Sequence, residues 1–188
     1  MRRVIILLLL VITLGIVNVM VWNKEKVIKN GDRIILPLGP RDPQSIMQGD
    51  YMRLSYQFPQ WLNQKEHLNR IPHFGQLLVE RNAKTYIAKI VQVYGYNRGK
   101  KQRDKQPQKL KPNQYLIRYK RDRWKRVVLA AQSFFFQQGQ ARYYSEAKFA
   151  DIRVDSNGEV ILVDMLDAKL QSIRAIAKQG SNLKLNQE

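Results

Sequence analysis

The sequence predicts a mainly β domain, barrel- or sandwich-like with one or two short helices, behind a single N-terminal transmembrane helix. Val4 to Trp22 carries no charged residue. That run is about nineteen residues, close to the roughly 20 that cross a bilayer. The remainder of the 188-residue chain is enough for one domain of ordinary size. It breaks into short apolar runs, several of them alternating, with Gly, Pro, Asn and Asp between them. Such spacing marks strands joined by turns.

The run is apolar all round rather than along one stripe, so a buried helix of a soluble domain is not the expected reading. It lacks small residues at a cleavage position, ending instead Val19-Met20-Val21-Trp22-Asn23. An uncleaved signal anchor over 1–23 is therefore expected rather than a signal peptide. Arg2 and Arg3 favour a cytoplasmic N-terminus, while Lys24, Lys26, Lys29 and Arg33 oppose it. Residues 24–32 read as a polar connector with an Asn30-Gly31-Asp32 turn, and 33–178 as the domain.

Arg33 to Leu38 is the first strand, ended by Gly39-Pro40. A second runs from Tyr51 toward Phe58, with Met52, Leu54, Tyr56 and Phe58 on one face and Tyr51, Arg53, Ser55 and Gln57 on the other. Gln60 to Asn69 is a short helical candidate. Gln76–Val79 and Thr85–Tyr94 form a hairpin-like pair. Gln114–Tyr119 and Val127–Phe136 add strands, and Ala141–Phe149 a helix. Asp151–Val154 and Val160–Val163 flank Asp155-Ser156-Asn157-Gly158, an Asn-Gly hairpin signal. Leu170–Ile176 is a last strand or short helix, and 179–188 a polar tail.

The net charge of +18, from 33 basic and 15 acidic residues, speaks of partners rather than of fold. Thirteen Lys or Arg lie between Asn97 and Arg126, opposed only by Asp104 and Asp122. The exposed basic loop at about 97–112 supplies the anion-binding candidates Arg98, Lys100, Lys101, Arg103 and Lys105. Anionic lipid or an acidic polysaccharide suits such a loop, and nucleic acid does not if the domain lies outside the cytoplasm. A solvated loop is the plainer account. The chain has no cysteine, which excludes a disulfide scaffold, a thiolate metal site and a thiol nucleophile. His67 and His73 fit no metal spacing, and no phosphate-binding glycine loop is present. No metal and no cofactor is expected.

The sequence reads as organised around Gly49-Asp50-Tyr51-Met52-Arg53-Leu54-Ser55-Tyr56, led in by Pro40-Arg41-Asp42-Pro43. The prolines hold the lead-in extended, and Gly49-Asp50 makes a turn. The pattern Gly49-Asp50-Tyr51-x-x-Leu54-x-Tyr56 resembles the signature of the GDYXXLXY domain family of membrane-anchored bacterial proteins. The resemblance extends to Asp42-Pro43, to Ser133-Phe134-Phe135-Phe136-x-x-Gly139 and to Ile152-x-Val154-Asp155-x-x-Gly158. The family often carries an acidic residue before the last-but-one of these glycines; here it is Gln138, which removes any role for a carboxylate there. The resemblance implies a bacterial inner membrane location, a single pass, a globular part outside the cytoplasm, and company with polytopic membrane proteins. It implies no reaction.

The expected function is that of a non-enzymatic membrane-anchored accessory protein. One alternative is a serine/lysine signal-peptidase-like hydrolase with Ser45 as nucleophile and Lys125 as base. That chemistry needs a desolvated lysine, and the box after Met47 has Gly49 where such peptidases have proline. Another is a basic module for anionic lipid or polysaccharide. In the motif, Asp50 is expected to cap the turn, and Leu54 and Tyr56 to fill the core. Any site is expected around the turn from Asp42 to Tyr51, with Arg53 and Ser55.

Overall fold

A computed structural model describes residues 2–39, 51–64, 71–97, 102–103, 109–137 and 139–185. The elements are α1 (Arg2–Asn30), β1 (Asp32–Pro37), β2 (Tyr51–Arg53), α2 (Gln60–Asn63), β3 (Phe74–Arg81), β4 (Ala88–Asn97), β5 (Gln102–Arg103), β6 (Gln114–Arg121), β7 (Val127–Leu129), β8 (Ser133–Phe135), α3 (Ala141–Tyr144), β9 (Phe149–Val154), β10 (Val160–Leu166) and α4 (Ile173–Leu185).

Helix α1 is long and apolar enough to cross a membrane. Its large apolar side chains from Val4 to Trp22 are exposed on every side. The polar side chains within that run bond to their own helix: Thr13 Oγ1 donates to Leu9 O at 2.8 Å and Asn18 Nδ2 to Leu14 O at 2.9 Å. An apolar solvent requires that internal satisfaction. The helix does not end at Trp22. Residues 24–30, expected as a connector, are about two further turns of α1. Nothing there breaks a helix, and Glu25 pairs with Lys29 at 3.3 Å, one turn on. Gly31 ends it, donating to Val27 O at 2.8 Å. A Cβ at Gly31 would lie 2.4 Å from Val27 O and 3.0 Å from Val154 O. Glycine therefore permits the close passage of the chain from helix to sheet.

Among the described residues three antiparallel sheets follow, in the orders β1-β9-β10, β2-β8 and β5-β4-β3-β6-β7. In the first, Ile34 lies opposite Ile152, and Val154 opposite Val160. In the largest, Leu77 lies between Val93 and Ile117. The sheets are tied at their margins. Ile35 bridges to Ile87, and Leu38 to Tyr56. Arg118 N donates to Gly158 O at 2.8 Å, joining β6 to the β9–β10 turn. One core fills the interior, with Ile34, Met52, Leu62, Leu77, Val79, Ile117, Leu129, Ile152, Met165 and Ile173 almost fully buried. The domain is mainly β, as expected. Among the described residues no sheet closes into a barrel.

Several boundaries differ from the sequence reading. The second strand stops at Arg53 rather than Phe58, although the alternation continues: Met52, Leu54 and Tyr56 are buried, Tyr51, Arg53 and Ser55 exposed. The expected strand Val127–Phe136 is two strands in different sheets, β7 beside β6 and β8 beside β2. The Ala130-Ala131-Gln132 link lets the chain change sheets. The helix of 141–149 ends at Tyr144, since Phe149 is taken by β9. The tail is helical to Leu185, because α4 buries Ile173 and Ala177 on one face. In the basic loop, Gln102-Arg103 pairs with β4, while 98–101 and 104–108 lie outside the described residues.

Candidate functional site

The motif divides between residues that build the core and one that reaches the surface. Asp42, Pro43, Ser45, Gly49 and Asp50 lie outside the described residues. Leu54 and Tyr56 are each 8% exposed and belong to the core. Tyr56 Oη donates to Ala131 O at 2.7 Å, joining the motif strand to the switch between β7 and β8. Burial pushes its phenol far above the ordinary tyrosine value. Tyr51 points outward, with its ring 5.8 Å from that of Phe135 across the β2–β8 pair.

Beside β8 lies a cleft of about 330 Å³ lined by Phe134, Phe135, Phe136, Gln137, Gln140, Tyr144, Arg174 and Lys178. Its aromatic wall is ordered by stacking. The Tyr144 ring lies 5.0 Å from Phe134 and 4.9 Å from Phe136. Arg174 holds its guanidinium 5.8 Å from the Phe134 ring centroid and donates to Val163 O at 3.0 Å. Arg174 and Lys178 stand four residues apart on α4, hence on one face. Burial raises the Tyr144 phenol; Arg174 pulls it back and Asp164 adds to the rise. Among the described residues no carboxylate lines the cleft. Two cations, two amides and an aromatic wall suit an anionic group carried on an apolar body. Sequence reading passed over Arg174 and Lys178. Their i, i+4 spacing was the available signal, hidden by the helix-or-strand ambiguity of 170–176.

A second charged group sits where α1 meets the sheets. Asp151 is buried in β9. Arg33 approaches its Oδ2 through Nη2 at 2.8 Å and Nε at 3.0 Å, and Arg153 Nη1 lies 3.5 Å from Oδ1. Arg153 Nε also donates to Ile28 O at 3.3 Å, near the end of α1. Arg81 Nη1 donates to Arg33 O at 2.9 Å and its guanidinium lies 4.6 Å from the Tyr115 ring. Lys24 reaches Glu159 at 3.0 Å, and Arg118 reaches the same carboxylate at 3.6 Å. These bonds form a joint between α1 and two sheets.

The remaining candidates separate. Lys125 stands exposed in the β6–β7 turn with φ 63°, a conformation disfavoured for a residue with Cβ. It has none of the burial a catalytic lysine needs. Asp122 organises that turn. Burial alone would raise its carboxyl, but hydrogen bonds from Arg126 and the Trp124 amide outweigh it and hold it low. Arg103 is placed by its backbone in β5 beside Tyr96. Arg98, Lys100, Lys101 and Lys105 lie outside the described residues, as does His67. Asp155 accepts from the amides of Asn157 and Glu159 at 2.9 and 2.7 Å, which is the work of a hairpin turn. Among the described residues no group of three or more His, Asp or Glu is placed to hold a metal.

Fold and site together define a β domain joined without a break to a membrane-length helix, with an aromatic cleft next to the motif strand. A family model described as GDYXXLXY protein matches residues 13–165. The chain belongs to that family. Comparisons with curated proteins and with solved structures find no match.

Proposed function

We propose that the protein is a non-enzymatic, membrane-anchored accessory protein. Its β domain lies outside the cytoplasm of a bacterial cell and engages a polytopic membrane partner. The observation that carries this reading is the joint. Helix α1 passes unbroken into the domain and is held there by Lys24–Glu159, Arg153–Ile28 O and the Gly31 contact. A flexible tether would suit a soluble substrate. A fixed joint instead holds one face of the domain at a set attitude to the bilayer, as a membrane-embedded partner requires. The face we assign to the partner is the cleft beside β8. Arg174 and Lys178, with no lining carboxylate among the described residues, favour an acidic segment of that partner.

The test is crosslinking in the native membrane with a photoreactive phenylalanine in place of Phe135, which is 75% exposed at the cleft. One recurrent polytopic protein is expected, and it is lost when Arg174 and Lys178 are both changed to Glu. Recovery of the uncrosslinked chain alone overturns the reading. A topology reporter fused at the C-terminus is expected to work only outside the cytoplasm. Ser45→Ala and Lys125→Ala are expected to leave processing of membrane precursors unchanged; loss of processing would establish the hydrolase instead.

A further inference from the structure

We propose that the β6–β7 turn is a second membrane contact, which binds the phosphates of anionic lipid while α1 anchors the chain. This does not rest on the partner reading. Trp124, at the tip, is 56% exposed. The guanidinium carbons of Arg123 and Arg126 lie 4.4 and 4.9 Å from its ring centroid. An exposed indole flanked by cations is the chemistry of a bilayer interface, where the ring sits at headgroup level and the cations meet phosphate. Phe74, 53% exposed, stands at the same sheet end, opposite Lys120.

Charge in the turn is unbalanced. Asp122 is the one carboxylate between Lys120 and Arg126, and it is taken up by the Trp124 amide and by Arg126. Among the described residues Lys120, Arg123 and Lys125 have no ion pair. The left-handed backbone at Lys125 keeps the turn tight and its side chain outward.

Position supplies the occupant. Strand β6 starts level with Glu80, next to Arg81, which reaches Arg33 O just past the end of α1. It then runs to Arg118, which shares Glu159 with Lys24. Lys24 is only about 3 Å along the helix from Trp22, the residue that closes the apolar run. So β6 leads back along the exposed part of α1 toward the bilayer boundary. Another three residues, about 10 Å, bring the strand to Arg121 and the turn. A lipid surface is therefore the anion within reach.

The natural probe is Trp124 itself. The chain has three tryptophans, so Trp22→Phe with Trp61→Phe leaves Trp124 alone. The full chain is reconstituted in bilayers of brominated phosphatidylcholine, with or without phosphatidylglycerol. Phosphatidylglycerol is expected to bring Trp124 within reach of the bromines and shield it from aqueous acrylamide. High salt is expected to reverse both changes. Lys120→Gln and Arg123→Gln are each expected to lower the ratio of contacting to free turn about fivefold. If Trp61→Phe disturbs the fold, the difference in quenching between the wild-type chain and Trp124→Phe gives the same readout. Equal acrylamide access in both bilayers with no bromine quenching overturns the proposal. So does shielding of Trp124 by a soluble anionic polysaccharide but not by phosphatidylglycerol.

Discussion

Asp151→Ala is expected to destabilise the domain by about 3 kcal/mol, measured by urea unfolding of the full chain in detergent micelles. The carboxylate is buried, and it is the partner shared by Arg33 and Arg153. Removing it leaves two guanidinium groups beside each other, since Arg33 and Arg153 are directly opposed across β1 and β9. The penalty belongs to the lower part of the range for broken buried pairs, because the Arg33 side chain is 38% exposed and water screens its charge. Adding Arg33→Leu to Asp151→Ala is expected to recover part of the loss, because an unpaired charge disappears. A change below about 1 kcal/mol for Asp151→Ala would show that the cluster is not a structural joint. The variant also tests the coupling to α1. Arg153, freed from Asp151, no longer has a fixed position from which to bond Ile28 O. Faster exchange of the amides of residues 28–31 is the expected sign.

Tyr56→Ala is expected to cost about 4 kcal/mol, as a buried aromatic ring is removed from the core. Tyr56→Phe keeps the ring and loses only the hydrogen bond to Ala131 O, so about 1 kcal/mol is expected. The two variants separate packing from polarity at the last position of the motif. The phenol carries a pH signature as well. Burial raises its pKa in the folded state, so the folded chain holds the proton more tightly than the unfolded chain does. That contribution is complete below the ordinary tyrosine value of about 10 and is lost as pH rises from there toward the folded value. The stability advantage of wild type over Tyr56→Phe should therefore shrink above about pH 10. An advantage constant through that range would place the phenol in water.

The motif shows how far a sequence pattern can be read. Alternation placed Met52, Leu54 and Tyr56 inward and Tyr51, Arg53 and Ser55 outward, and the structure keeps that order. Side-chain period is a local property of extended backbone, so it survives even where the ladder stops at Arg53. The end of a ladder is not local. It depends on where the partner strand β8 runs out, and β8 is about eighty residues away in the chain. The same reasoning covers Val127–Phe136. Its apolar run is real, but which sheet each half joins is decided by β6 and β2.

Several features that depend on neighbouring residues were legible in the sequence. The uncharged run, the Asn157-Gly158 turn, the alternation of the motif strand and the family signature are all of this kind. Which distant groups meet depends on the packing of elements far apart in the chain. Asp151 looked like one residue of a strand, and it is the buried carboxylate shared by Arg33 and Arg153. Lys24 looked like part of a connector, and it is half of the bond that holds α1 to the β9–β10 turn. Arg174 and Lys178 gained a role only when α4 was set against β10, close to the aromatic wall of β8. The reason is physical. Helix and strand periods are written in local backbone geometry, whereas ion pairs and clefts form between elements far apart in sequence. Their partners are chosen by the packing of the whole core.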